Sequence, residues 1–453
     1  MHFFDNKLGI LTLLLCLPLL FLPKINLLSV GGESAGLRYD DLVLLIVGAL
    51  ILCSQLFSRN KIYKIEGWIL LITAFSFVSF LTNRILVSFD MLYMDAKIFY
   101  TVRLLEYFMF FYVGAIATRF LKGEVVVQIF LIWNLFLMTF QKLGWIGAIT
   151  VLGYDSDVTS RVQGIASFPS EMGLLLNLIF CYLVFDQNPS RWIQIFPSKV
   201  IQAFLRKSYI YWMFALFSVF VVFTGNRVSI VALLICFLAR LKQQYRFRSL
   251  GSLLSLLVII PALLFGVWGL VTKTRAIYER SSGLFSLNNL NVAQTIWERI
   301  DLKKDPVGNE VVNSRDYDTS WWMRIHKWVH ATKAFFLNPM VYLQGLGPGF
   351  AWAALDGGLL RIFLENGIIG SLLFWKFFSS IYKINPQTKW MTIALLLNMV
   401  FFDAYLAYKT MSFFLFTSGY AFEIEKRRRD FLLSQSTINI KSEKEFKPQL
   451  ILD

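Results

Sequence analysis

Long apolar runs recur along this chain, separated by short polar connections. They fall near 8–22, 40–57, 66–82, 98–118, 123–141, 168–186, 208–224, 227–240, 250–270, 358–376, 390–404 and 409–422. A bilayer-crossing helix needs about 20 mostly apolar residues, so the pattern predicts an all-α polytopic membrane protein of about 12 transmembrane helices. Residues 390–422 read either as one long broken helix or as two spans; Asp403 and Lys409 in their middle favour a turn at a surface. The first run has only Lys7 before it and no small-residue cleavage site after it, so it reads as a span rather than a leader.

Charge sets the orientation. With the N-terminus inside, the cytoplasmic segments hold clusters such as Arg59, Lys61 and Lys64, or Lys426 to Arg429. The short outer connections hold isolated cations, among them Lys24, Arg84 and Lys142. The positive-inside rule therefore favours both termini in the cytoplasm, and an odd number of spans would strand Lys426 to Arg429 outside. Four regions follow: spans 1–9 over 1–270, an outer loop over 271–357, spans 10–12 over 358–424, and a basic, polar cytoplasmic tail over 425–453. The loop is polar from Lys303 to Asp318, then amphipathic from Trp321 to Leu337. A connection this long is uncommon without a function of its own, and its aromatic second half predicts folded helices on the outer membrane face.

Composition narrows the class. Of 453 residues, 57% are hydrophobic and 16% charged, against about 45–50% and 25% in soluble domains. Disorder, a collagen-like chain and a disulfide scaffold are excluded. All four cysteines lie in apolar runs, with no CxxC pair. The net charge of +15 is spread between spans, which points to anionic lipid rather than nucleic acid. No internal repeat is visible, so an inverted-repeat transporter lacks that support.

Intramembrane charges are costly and often functional. Here arginines gather at the outer ends of spans that start there. Arg103 lies a turn into span 4 with Glu106 at i+3, Arg161 precedes span 6, and Arg227 opens span 8. Arg361 lies a turn into span 10 with Glu365 at i+4, and the loop adds Arg324. Guanidinium forks bind phosphate oxygens bidentately, and helix N-termini add free N–H groups and positive dipole ends. The cluster reads as a binding site for a lipid diphosphate. The competing reading is that Arg103–Glu106 and Arg361–Glu365 are helix ion pairs satisfying each other, or that single arginines snorkel.

Other motifs read more plainly. His326 and His330 have zinc-helix spacing, but no Glu lies between them and the only other histidine is His2. A solvated or interfacial pair is expected, and no metal. Gly345-Leu346-Gly347-Pro348-Gly349 reads as a tight turn returning the chain to span 10, rather than as a phosphate cradle. Gly367 and Gly370 read as close-packing positions. Asp356 is expected to be the N-cap of span 10 and is also a candidate general base.

Three features together resemble the bacterial O-antigen polymerase and ligase superfamily: Thr224-Gly225-Asn226-Arg227; Arg324, Trp328, Ala331, Pro339 and the glycine-rich turn through Phe350; and Asp356 through Arg361, Glu365, Gly367 and Gly370. The topology covers nearly the whole chain, the motifs only about 224–227 and 322–370. The resemblance implies a GT-C-like glycosyltransferase of the bacterial inner membrane, working at the periplasmic face. Its donor would be an oligosaccharide on undecaprenyl diphosphate, with no cofactor. A chain-length regulator is the implied partner. Ligases of the superfamily carry a histidine before span 10, where this chain has Leu355-Asp356-Gly357. That favours a polymerase.

On this reading Arg161, Arg227 and Arg324 stabilise the diphosphate leaving group, with Arg361 next and Arg103 last. Asp356 or Glu365 would deprotonate the acceptor hydroxyl, though a Glu365 fully paired to Arg361 makes a poor base. An O-antigen ligase is the nearest rival. A capsule or exopolysaccharide polymerase would use the same chemistry. A lipid-linked oligosaccharide flippase fits less well, because the charges gather at one face.

Overall fold

A computed structural model of the protein describes residues 6–24, 26–29, 36–39, 41–44, 46–48, 64–150, 158–186, 199–244, 288–304, 319–350 and 354–445. The expected span at 250–270, most of that at 40–57 and loop residues 305–318 lie outside these. The described chain is helical: α1 (Asn6–Phe21), α2 (Lys64–Ser88), α3 (Phe99–Ala117), α4 (Gly123–Lys142), α5 (Pro169–Val184), α6 (Lys199–Thr224), α7 (Arg227–Gln244), α8 (Asn288–Arg299), α9 (Thr319–Phe336), α10 (Gly358–Tyr382), α11 (Pro386–Asn398) and α12 (Tyr408–Glu445). One short antiparallel pair, β1 (Asn26–Ser29) with β2 (Gly36–Arg38), follows α1.

Among the described residues four helices, α2, α3, α4 and α10, are long and apolar enough to cross a bilayer, and shorter apolar stretches lie at Gly9–Phe21, Pro169–Val184 and Ser208–Thr224. At 25 residues, α2 reaches about 37 Å, enough to cross about 30 Å of hydrocarbon. This is the make-up of a helical membrane protein.

The centre is aromatic. Helix α12 lies along α3, with Phe108, Phe110, Phe111, Phe413, Phe414 and Phe416 all buried. Two glycines make that approach possible: a Cβ on Gly114 would collide with the carbonyl of Phe416, and one on Gly419 with that of Phe111. Small residues at such crossings let backbones touch, which is how helices gain contact in lipid.

Hydrogen bonds gather a set of helix ends into one layer. Asn226, before α7, donates to Ser170 O at the start of α5. Ser229 in α7 donates to Asn398 at the end of α11. Leu359 N, at the start of α10, donates to Met399 O just beyond it. Tyr107 in α3 donates to Leu406 O before α12. The backbone N–H of Lys409, opening α12, donates to Glu171 in α5. This layer contains the expected site.

The fold corrects the sequence reading in two places. The break between α11 and α12 occurs where Asp403 and Lys409 predicted a turn, but both residues are buried, at 6% and 1% exposure, rather than at a surface. Helix α10 is not one continuous span: at Gly367 the backbone leaves helical geometry (φ 62°, ψ −164°). Helix α12 also runs on through the basic, polar residues from 425 to Glu445. No Pro or Gly interrupts 421–445, and Glu423–Arg427, 3.2 Å apart, is a helix-stabilising i,i+4 pair.

Candidate functional site

The turn that enters α10 is the organising element. Asp403, after α11, reaches across to it. Its Oδ2 accepts the N–H groups of Leu355 (2.7 Å) and Asp356 (3.3 Å), and its Oδ1 accepts that of Gly357 (3.0 Å). Three convergent N–H groups ahead of a helix form an anion site, and here the protein's own carboxylate fills it. Arg361 Nη1 donates to Asp403 Oδ2 at 2.7 Å, and Arg361 Nε donates to Glu365 Oε1 at 3.0 Å. The Arg361 cation also lies 5.2 Å from the centre of the Tyr100 ring. Tyr405 donates to the other Glu365 oxygen at 3.4 Å. Burial first, and the nearby Glu365 charge second, push the Tyr405 hydroxyl well above the usual phenol range, so it remains a donor.

Helix α9 holds the turn from its other side. Trp328 Nε1 donates to Leu355 O at 2.8 Å and Lys327 Nζ to Ala354 O at 2.9 Å. The turn is thus clamped through its N–H groups by Asp403 and through its carbonyls by α9. Between these clamps Asp356 adopts a left-handed backbone (φ 58°), a conformation that Asp and Asn accept more readily than other non-glycine residues. Its carboxylate meets Arg324 Nε at 3.0 Å, with side chains 35% and 29% exposed. Arg361, at 0%, is sealed.

A second arm carries Arg161. Gln141 in α4 accepts the N–H groups of Gln163 and Gly164 and donates to Gly164 O, fixing the strand of chain before α5. Val162 N donates to Phe223 O, and Arg161 Nε donates to Thr224 O at 3.2 Å. Gly225 has φ 65°, and a Cβ there would lie 3.0 Å from Arg161 Nε. Arg227 is the first residue of α7 and is half-buried. The Ser229–Asn398 bond ties this arm to α11, whose following segment carries Asp403.

The structure therefore sorts the expected residues. Arg324 and Asp356 come together, about a third exposed. Arg361 and Glu365 come together in a buried network. Arg161 joins the Thr224–Arg227 turn. Arg103 pairs with Asp41 (3.1 Å) and Glu106 (3.0 Å). Asp356 is not the N-cap of α10: Gly357 has that position, without a side-chain cap, and Asp403 takes the N–H groups. The histidine pair is buried rather than solvated, at 0% and 1% exposure. His326 Nδ1 donates to Trp322 O and His330 Nε2 to Leu302 O. In the glycine-rich turn, Leu346 N and Gly347 N donate to the carbonyls of Leu364 and Glu365, so these groups bind protein.

Asp403 and Tyr405 were not among the expected site residues. The signal for Asp403 was present: a lone carboxylate inside an apolar run is costly without a partner. Comparison with protein-family models and with curated proteins yields no match.

Proposed function

We propose that this chain is a membrane glycosyltransferase that lengthens a polysaccharide from polyprenyl-diphosphate-linked repeat units, as the O-antigen polymerases it resembles do. The carrying observation is the Arg324–Asp356 pair, about a third exposed, with Asp356 on a turn clamped from both sides. A fork and a carboxylate held together suit a reaction with an anionic leaving group and a hydroxyl nucleophile. In the proposed step the acceptor hydroxyl attacks the anomeric carbon. The bond from that carbon to the diphosphate oxygen breaks, and the electron pair leaves on the polyprenyl diphosphate. Arg324, with Arg161 and Arg227, stabilises that charge. Asp356 takes the hydroxyl proton, freed for that task as Arg324 turns to the diphosphate.

Arg361 and Glu365 receive a holding role in this scheme, because their burial keeps them from substrate. The site would face the periplasm, with the termini cytoplasmic. The test is the lipopolysaccharide profile of a host lacking the gene. Core capped with a single repeat unit supports the polymerase. Bare core with long polymer retained on the lipid carrier makes the protein a ligase and overturns the role given to Asp356. A normal lipopolysaccharide ladder with lost capsule keeps the chemistry and changes the polymer.

A further inference from the structure

The chain from Ala334 to Leu355 contains no charged residue, although it belongs to the outer loop. Its first half is apolar on two sides. On one side Phe335, Val341 and Leu346 are buried, at 2%, 0% and 0% exposure, against Leu86, Phe350 and Leu364. On the other, Phe336, Leu337, Met340 and Leu343 are 53–63% exposed. Apart from Asn338 and Gln344 this stretch is apolar on both sides, and such a segment belongs in a core or in lipid. An exposed patch of this kind marks a surface that something covers.

Its depth follows from its hydrogen bonds. Ile368 N donates to Tyr342 O and Ile369 N to Leu343 O, while Leu346 N and Gly347 N donate to Leu364 O and Glu365 O. Glu365 lies seven residues into α10, ahead of the break, roughly 10 Å along the helix axis at about 1.5 Å per residue, and Ile368 lies just past the break. Helix α2 gives a second ruler. Arg84, half exposed and paired with Asp95, marks the polar level. Asn83 beside it donates to Leu346 O, and Ser76, roughly 12 Å deeper by the same rise, donates to Asn366 next to the α10 break.

The exposed residues also continue a lipid-facing stripe. Ile368, Ile369, Leu372 and Trp375 of α10 are 40–62% exposed on a helix of membrane-crossing length. Backbone outside a regular helix survives at such depth only with internal partners. The N–H groups of Leu337, Asn338, Val341, Tyr342, Gly345, Leu346 and Gly347 all have them. The Tyr342 hydroxyl donates to Phe336 O and the Asn338 amide to Ala334 O. The break at Gly367 is what frees the α10 carbonyls and N–H groups for this exchange.

We infer that residues 336–346 form a re-entrant wedge that enters the outer-side leaflet beside α10, and that Phe336, Leu337, Met340 and Leu343 contact lipid acyl chains. The loop is thus anchored in the bilayer at its C-terminal end, directly ahead of the turn that holds Asp356. This inference does not depend on the polymerase reading.

The test uses the unaltered full-length protein, reconstituted into vesicles of phosphatidylethanolamine and phosphatidylglycerol. The vesicles contain a phosphatidylcholine with a diazirine in mid-acyl chain, and adducts are mapped by mass spectrometry after illumination. Adducts on 336–343 at yields comparable to those on 368–375 are expected. Adducts on 368–375 with none on 336–343 would overturn the wedge. Labelling of 336–343 by a water-soluble diazirine in place of the lipid probe would overturn it too.

Discussion

Asp403 accepts the backbone N–H of Asp356 at 3.3 Å, across 47 positions of sequence, while the Asp356 carboxylate pairs with Arg324. One carboxylate shapes the turn and the other is presented by it. Asp403→Ala removes the acceptor of three N–H groups and one of the two carboxylates holding Arg361. Breaking a buried pair costs about 3–5 kcal/mol. The expected result is a strong fall in membrane-inserted protein and in the thermal midpoint of what remains, read by size-exclusion chromatography after graded heating. Asp403→Asn keeps a carbonyl acceptor and should fall between Ala and the parent.

Arg324 separates function from folding. Its pair with Asp356 is partly solvated, and such pairs contribute about 0–1 kcal/mol. Arg324→Ala should therefore leave protein level and thermal midpoint near those of the parent while polymer length collapses to single repeat units. Lys keeps the charge but loses the fork, so Arg324→Lys should restore only short chains. A full-length ladder from Arg324→Ala would remove the diphosphate role.

The left-handed backbone at Asp356 allows a matched set of replacements. Asn tolerates that geometry and Gly prefers it. Asp356→Asn and Asp356→Gly should hold the thermal midpoint or raise it slightly, while chain growth stops because no carboxylate remains to take the proton. Asp356→Val adds strain of about 1–2 kcal/mol or more and should lower the midpoint as well. If Asp356→Asn still builds long polymer, proton removal belongs to another group.

The apolar runs made the helical membrane character legible, because span length and composition obey the bilayer more than any tertiary detail. The starts of α3, α4, α5 and α7 fall within a residue or so of their predicted positions. Arg324 and Asp356 could be named as candidates from the motif around them, but their pairing needed the turn. Asp403 reads from the sequence only as a span breaker, since nothing local links it to residues 355–357. The α10 break was hidden for the same reason: Gly367 inside an apolar run looks like a packing site until the chain at 342–347 is seen beside it.

That break makes the sharpest structural prediction. Gly367 has φ 62°, and a Cβ there would lie 2.5 Å from Leu343 O and 2.6 Å from Gly345 N. Gly345 has φ 85°, and its Cβ would collide with the backbone of Glu365. Each glycine stands where the other's strand passes, so neither substitution can be absorbed by a side-chain shift. Backbone strain alone costs about 1–2 kcal/mol, and the collision adds to it. Gly367→Ala or Gly345→Ala should part the 342–347 segment from α10, lower the thermal midpoint and expose 342–347 to limited proteolysis. Gly147 has nothing within 4 Å of its added Cβ, so Gly147→Ala should behave as the parent in the same assay. Equal protease resistance in all three variants would mean that the α10 break is not held by this contact.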